Sequence, residues 1–288
     1  RDTDRSRGLG DVYKRQMLNK SIERMTTGYK INHAADNAAG YSIATTWKTQ
    51  LGSLDVASDN ASTGADMLTT LEDTYSLITS HLQRVRDLTE QAANGTYGSD
   101  SLKAIASEIT ARLEEIDRIS ANCEFNGLKM MDGSLTDDIN LQVGLYSDAA
   151  SRIALDASLF QNGHVSALFK TFGGVGGATV AEVAKLCSGY DGKQITGGQN
   201  EMLNKIDAVI SEISARTTTL GAAQNRIESA VESINVQSEN ITSSLSTLRD
   251  ADVAEESSNY IKAQILQQAS ATLLATANQT PSIALNLL

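Results

Sequence analysis

The longest regular feature of the sequence is an apolar stripe in its last third, in which the residues step alternately by three and four positions. Its members are Leu203, Ile206, Ile210, Ile213, Thr217, Leu220, Gln224, Ile227, Val231, Ile234, Ser238, Ile241, Leu245 and Leu248. A stripe of more than six heptads predicts one long helix with a coiled-coil-like seam. At about 1.5 Å per residue this helix is on the order of 70 Å long.

Two shorter stripes with the same spacing lie nearer the N-terminus. The first consists of Leu68, Leu71, Tyr75, Ile78, Leu82 and Val85, and the second of Leu102, Ile105, Ile109, Leu113, Ile116 and Ile119. The turn-forming sequence at 94–99 separates them, and Asp100 is a candidate N-cap. Because each stripe alone faces water, we expect the three helices to pack against one another, with the two ends of the chain folding together.

The middle of the chain has a different pattern. Apolar and polar residues alternate over 139–145, and a second short alternation includes Ile153 and Leu155, which predicts a β-hairpin over 139–157. Residues 179–186 predict one short helix, and the rest of 161–199 is glycine-rich and is expected to lie outermost. The fold class is therefore mainly α: a long antiparallel helical coiled-coil or bundle rod formed by both termini, with a small β-hairpin region in the middle.

The composition argues against a nucleic-acid-binding protein and against a transmembrane protein. The 288 residues carry a net charge of −11, which argues against a nucleic-acid-binding surface. Aromatic residues make up only 5% and there is one proline, as is typical of long uninterrupted helices. No charged residue follows Lys262, yet eleven of the last 26 residues are Ser, Thr, Asn or Gln, so the tail does not predict a transmembrane helix.

The first sixteen residues carry eight charges and no hydrophobic period. They resemble a translated sequencing-adapter remnant, and we expect the native chain to start within a helix at about Met17. No apolar signal-peptide region is visible there.

Candidate catalytic and ligand-binding residues are few. His33, His81 and His164 are far apart and fit no metal-binding spacing, and the glycine-rich stretch at 173–179 lacks the lysine of a phosphate-binding loop. The acidic residues at 114–117 lie off the apolar stripe, on a solvated face. Two cysteines, Cys123 and Cys187, favour unpaired thiols over a mutual disulfide. The sequence therefore predicts no enzyme, no metal and no cofactor.

Five segments resemble bacterial flagellins, the filament subunits of the flagellum. They are SIERMTTGYKINHAADNAAGYSIA (21–44), LQRVRDLTEQAANGT (82–96), EIDRISANCEFNGLKMMDG (115–133), LGAAQNRIESA (220–230) and RDADVAEESSNYIKAQILQQASATLLATANQTPSIALNLL (249–288). They cover both terminal thirds in the order of the family.

The resemblance implies a division of the chain into parts of the filament. After the non-native leader expected at 1–16, residues 17–40 form a truncated inner-tube arm and connector, 41–160 the outer-tube helical domain with the hairpin, 161–199 a variable exposed insert, 200–250 the long outer-tube helix, and 251–288 the C-terminal inner-tube helix.

The resemblance also implies that the subunit polymerises through its terminal regions. The residues that it assigns to polymerisation are Arg24, Gly28, Ile31, Asn32, Asp36, Ile265, Leu266, Ala269, Leu273, Ala277, Leu287 and Leu288. The uncharged tail has few partners within one molecule, so we expect it to be largely disordered until neighbouring subunits bury it.

The partners implied by the family are further copies in a helical homo-oligomer, the flagellar export apparatus and its flagellin chaperone, and the filament cap and junction proteins. The implied location is extracellular, in the flagellum, with no membrane insertion and no nucleic acid. Many flagellins are also bound by a Toll-like receptor of animal hosts, and the matching residues here are Arg84, Leu88 and Glu108.

Three alternatives stay open. The hook–filament junction protein shares flagellin-like ends but matches them more loosely. A secreted adhesin built on a coiled coil is a different class, which the variable middle permits. A zinc-protease insert would need an HExxH motif between 158 and 200, where only His164 occurs.

Overall fold

The computed structural model describes residues 2–170, 179–191 and 198–285, and the side chains of residues 12–170, 179–191 and 198–276. The long helices are α1 (Asp2–Thr27), α2 (Ala38–Ala93), α3 (Ser99–Asn122), α6 (Gln199–Arg249) and α7 (Val253–Leu285), and the short ones are α4 (Val165–Leu168) and α5 (Val180–Ser188). The strands are β1 (Glu124–Phe125), β2 (Leu128–Lys129), β3 (Ile139–Gln142) and β4 (Arg152–Leu155). No described helix is both long enough and apolar enough to cross a membrane.

The chain divides into two structural units. The terminal unit contains residues 1–52 and 236–288, and the central unit contains residues 53–235. Helices α2 and α6 each contribute residues to both units. The expectation that both ends of the sequence fold together is met in the terminal unit, where α1 packs along α7.

The core of the central unit consists of the three predicted stripes. Every member of the stripe on α2 is at most 1% exposed, and Ile109, Leu113 and Ile116 on α3 are fully buried. Polar contacts at the edges join α2 to both partners: Arg84 Nε donates to Glu108 Oε1 of α3 at 2.9 Å, and Gln224 Nε2 of α6 donates to Glu72 Oε2 at 2.9 Å. Burial of the apolar stripes thus holds the three helices together.

The stripe on α6 is confirmed as the buried face, but its centre is displaced. Ile206, Ile213, Leu220, Ile227 and Ile234 are at most 3% exposed, as the heptad predicts. The alternate members, which are Ile210, Thr217, Gln224 and Val231, are only half-buried. The residues buried in their place are Met202, Val209 and Ala223, each of which lies one position before a predicted member of the stripe.

The predicted hairpin over 139–157 is confirmed. Strands β3 and β4 pair antiparallel with Ile139 opposite Leu155 and Leu141 opposite Ile153. The hairpin packs on α2 at Gly64, where an added Cβ would lie 2.3 Å from Leu141 Cδ1. A glycine at this position is therefore what allows the hairpin to approach α2 so closely.

The region 161–199 contains more packed structure than expected. Val165 in α4 and Val183 in α5 are fully buried, and α5 packs against α3. Helix α5 begins with a capping box between Thr179 and Glu182 and ends at Gly189, whose φ is +61°. The expected exposure of this region therefore does not extend to α4 and α5, because their apolar side chains complete the core beside α3.

Both cysteines are buried and unpaired, as the sequence favours. The Cys123 Sγ lies 3.4 Å from Thr74 Oγ1, whereas the Cys187 thiol bonds to Thr89. These threonines are about 22 Å apart along α2, so the thiols lie far apart. Burial raises the pKa of Cys187 to about 12, which keeps this thiol protonated.

The tail is helical rather than largely disordered. Helix α7 extends to Leu285 and packs along α1, with Ala263 1% and Ser21 5% exposed. Lys14 Nζ also donates to Ser270 Oγ across this pair. Small side chains permit the two helices to approach closely, and α1 supplies partners for one face of the tail.

Candidate assembly surface

Two connectors lie side by side in the terminal unit. We call residues 28–37, between α1 and α2, the first connector, and residues 250–252, between α6 and α7, the second connector. Gly28 closes α1 by donating its N–H to Arg24 O at 2.8 Å, and its φ of +76° is in the left-handed region that glycine favours.

Backbone hydrogen bonds join the two connectors. Ala251 N donates to Gly28 O at 2.8 Å, and Lys30 N donates to Arg249 O at 2.7 Å. The Arg249 guanidinium also lies 4.0 Å from the centroid of the Tyr29 ring, a cation–π contact. This arrangement fixes the end of α1 beside the start of α7.

Asp36 organises the first connector. Its carboxylate accepts bonds from Asn32 N at 3.2 Å and His33 N at 3.1 Å, and it pairs with Lys20 Nζ of α1 at 2.7 Å. The Lys20 bond, followed by the backbone bonds, lowers the pKa of Asp36 to about 2. Ile31 is 5% exposed and packs so close to Gly40 that a Cβ there would lie 2.8 Å from Ile31 Cδ1.

An ion pair joins the two ends of the chain beside the connectors. Arg24 Nη1 donates to Glu256 Oε1 at 2.8 Å, and Glu256 is 7% exposed. A groove of about 850 Å³ next to this pair is lined by Trp47, the only tryptophan of the chain, together with residues of both connectors. Arg24, Gly28, Ile31, Asn32 and Asp36 thus form one cluster of contacts within the subunit.

Helix α7 exposes an apolar stripe, which we call the α7 stripe and define as Ile261, Ile265, Ala269 and Leu273. At about 3.6 residues per turn, members four positions apart are offset by about 40°, so the stripe winds over about 120° of the helix surface from Ile261 to Leu273. Ile261 is 51%, Ile265 58% and Leu273 70% exposed. The sequence analysis missed Ile261, although its spacing from Ile265 is visible in the sequence.

Leu266 is 40% exposed and lies seven positions before Leu273, which places these two side chains on the same face of α7. The side chain of Ala277 lies outside the described residues, as do Leu287 and Leu288 altogether.

The three receptor residues are not equivalent. Arg84 and Glu108 form an exposed ion pair across α2 and α3, with 47% and 37% of their side chains accessible. Leu88, in contrast, is 1% exposed. The assignment of Leu88 to a surface contact is therefore corrected, because this side chain points into the core three positions after the buried Val85.

Among the described residues, no group of three or more His, Cys, Asp or Glu side chains could hold a metal ion. His164 Nδ1 lies 3.3 Å from Asp117 Oδ1, which also accepts a bond from Val165 N at 2.7 Å. This histidine caps α4 and takes part in packing.

Two family models match the chain. The bacterial flagellin N-terminal helical region matches residues 13–136, and the bacterial flagellin C-terminal helical region matches residues 203–288. The chain belongs to the bacterial flagellin family. It is a structural subunit of the extracellular flagellar filament and is not an enzyme.

Individual relatives are consistent with this membership. The chain is 34% identical to a flagellin of Bacillus subtilis, over 93% of this chain and 92% of the relative, and 32% identical to a flagellin of Listeria innocua, over 92% and 90%. Both relatives are named flagellins, which favours the filament subunit over the junction protein. The fold is also similar to that of a putative flagellar hook-associated protein from Vibrio parahaemolyticus, with a TM-score of 0.60 at 13% identity, over 75% of this chain and all of that one.

Proposed function

We propose that this flagellin polymerises by burying the α7 stripe against neighbouring copies. The observation that carries the proposal is the exposure of Ile261, Ile265 and Leu273, each at least 51% accessible, on a helix that bears no charge after Lys262. Isolated exposed apolar residues are ordinary, but a continuous stripe along a helix is typical of an interaction surface.

The energetic scale of this burial fits an assembly contact. Complete burial of the three larger residues of the stripe, Ile261, Ile265 and Leu273, contributes roughly 5–9 kcal/mol before the costs of ordering and association. The amide and hydroxyl groups that flank the stripe can form hydrogen bonds between helices, whereas charges there would carry a larger desolvation cost. The connectors support this role by holding α7 in place beside α1.

A substitution in the α7 stripe tests the proposal. Leu273→Ser should abolish or strongly slow elongation onto preformed filament ends, measured by sedimentation of polymer. Leu186→Ser is the matched control, because Leu186 is also exposed, at 36%, but lies on α5. Normal elongation of the Leu273 variant, or an equal defect in both variants, would contradict the assignment.

We expect the same stripe to contact the other partners that the family implies, which are the flagellin chaperone and the cap and junction proteins. Before assembly the stripe faces water, so a flagellin chaperone that accompanies the chain to the export apparatus would need to cover it. At the ends of the filament, the cap and junction proteins would contact the surfaces that another copy covers elsewhere. Loss of chaperone binding in Leu273→Ser, measured by calorimetric titration, would support this common use of the stripe.

A host Toll-like receptor is a second candidate partner, which the Arg84–Glu108 pair favours. Both side chains are accessible and project from adjacent helices. Arg84→Ala should reduce the response of a receptor reporter cell to soluble protein, whereas Arg226→Ala, at an exposed position of α6, should not. An unchanged response after Arg84→Ala would remove this residue from the interface.

A further inference from the structure

Three Asn-Gly pairs occur in the chain, at 94–95, 126–127 and 162–163. An asparagine followed by glycine is open to spontaneous deamidation, because no side chain on the following residue shields its backbone nitrogen. The three pairs occupy different structural settings. We propose that Asn94 is a self-modifying site of the folded subunit, which converts to aspartate and isoaspartate, and that the fold suppresses the same reaction at Asn162 and slows it at Asn126.

The reaction needs no co-reactant other than water. The Gly95 nitrogen attacks Asn94 Cγ, a new N–Cγ bond forms, and the amide N–H proton passes to solvent. The Cγ–Nδ2 bond breaks, and the side-chain NH2 group takes up a proton from solvent and leaves as ammonia. Water then opens the five-membered imide at either carbonyl, which gives aspartate or isoaspartate.

The turn at Asn94 favours this attack. Asn94 follows the last residue of α2, and Asn94, Gly95 and Thr96 are all exposed. Thr96 N donates to Asn94 Oδ1 at 3.3 Å, a longer bond than the 2.8 Å bond from His164 N to Asn162 Oδ1, so the Asn94 side chain is held less firmly. Within the same turn, Tyr97 N donates to Asn94 O at a long distance of 3.4 Å. No atom lies within 4 Å of the Gly95 Cβ position, so little opposes rotation of this backbone.

The fold opposes the same reaction at Asn162. Gly163 N, the nucleophile of the reaction, donates to Met131 O at 2.9 Å and is therefore occupied. The Asn162 side chain is fixed at both ends, by His164 N at 2.8 Å and Asp132 O at 3.3 Å. Gly163 is also buried, and a Cβ there would lie 2.6 Å from Met131 Cε. Attack requires these bonds to break first.

Asn126 is intermediate between the other two sites. It is exposed, but it occupies the two-residue turn between β1 and β2 with φ of +50°, and Gly127 follows with φ of +82°. The pairing of Phe125 with Leu128 on either side constrains the turn. Rotation toward the attacking geometry disrupts this pairing, which slows the reaction without preventing it.

Conversion at Asn94 has a physical consequence for the subunit. Aspartate adds a negative charge at the C-terminal end of α2, where the helix dipole disfavours it. Isoaspartate adds a methylene group to the backbone of the connection between α2 and α3. The helix ends on either side are packed, since Ala92 is 5% and Leu102 3% exposed. Because subunits in an extracellular filament lie outside the cell, the product accumulates with the age of the filament.

Time-resolved peptide mapping of the purified full chain tests the proposal. At mildly alkaline pH, mass spectrometry should show deamidation at Asn94 at least about tenfold faster than at Asn162, the factor expected for breaking one or two buried hydrogen bonds. Asn126 should react at an intermediate rate. Transfer of labelled methyl groups by an isoaspartate methyltransferase should confirm that isoaspartate forms.

Two controls separate the role of the fold from that of the sequence. In denaturant, the three asparagines should react at similar rates, because the local sequence is then the only difference. Gly95→Ala should slow the reaction at Asn94 several-fold without disturbing the fold, since Gly95 is exposed and unhindered. A folded-state order that equals the denatured order, faster reaction at Asn162 or Asn126, or an attached sugar on Asn94 in place of the deamidated product would overturn the proposal.

Discussion

Asp36 shows how one carboxylate holds the first connector in place. Its folded-state pKa of about 2 lies below the ordinary 3.8, so the carboxylate stabilises the folded terminal unit above about pH 4. This contribution is lost as the pH falls through about 2. With solvent screening taken into account, we expect it to be on the order of 1 kcal/mol.

The pH dependence of thermal unfolding measures this contribution. The fluorescence of Trp47, which belongs to the terminal unit, should show a lower midpoint below about pH 3 than near neutrality. Asp36→Asn should lower the midpoint near neutrality and flatten the acid limb, whereas Asp55→Asn, at an exposed position of α2, should change neither. Identical acid profiles for the parent and the Asp36 variant would show that this carboxylate is not responsible.

The sequence could identify the candidate receptor residues but could not tell which of their side chains are exposed to solvent. Arg84 and Leu88 are four positions apart, which on a helix predicts a shared face. In the structure Leu88 is buried and Arg84 is exposed, because the boundary between core and solvent falls between them. Local spacing contains no information about which neighbouring helix covers a residue.

At the scale of the elements, Gly28 and Gly52 provide a matched pair of tests. Gly28 has a φ of +76° and ends α1, whereas Gly52 lies inside α2, and no atom crowds the Cβ position of either residue. Gly28→Ala should destabilise the terminal unit by about 1 kcal/mol through backbone strain. Gly52→Ala should stabilise it by roughly 0.5–1 kcal/mol through helix propensity. Urea unfolding measures both, and effects of equal sign would contradict this account.

The long elements were predictable because their patterns are local and repeated. The stripe on α2, the hairpin over 139–157 and the helix at 179–186 all follow from periodicity and turn residues. The displaced centre of the α6 stripe did not, because Val209 and Ile210 are both apolar and only the positions of α2 and α3 decide which is buried. The pairing of the two connectors could not be predicted from the sequence either, since it joins residues more than two hundred positions apart.

At the scale of the whole molecule, the two units should be separable in function. Truncation after residue 260 removes the α7 stripe and leaves every residue of the central unit in place. The truncated chain should keep the cooperative unfolding of the central unit and fail to elongate preformed filaments. A truncated chain that elongates at the rate of the full chain would show that assembly does not depend on the tail.

The position of Trp47 gives the molecule a built-in optical probe. The only tryptophan of the chain belongs to the terminal unit, where it lines the groove beside the Arg24–Glu256 pair, while the central unit contains none. Its emission spectrum therefore follows the terminal unit alone. Compared with far-ultraviolet dichroism, which follows all the helices, this fluorescence can time separately when each half of the subunit orders as it joins a growing flagellum.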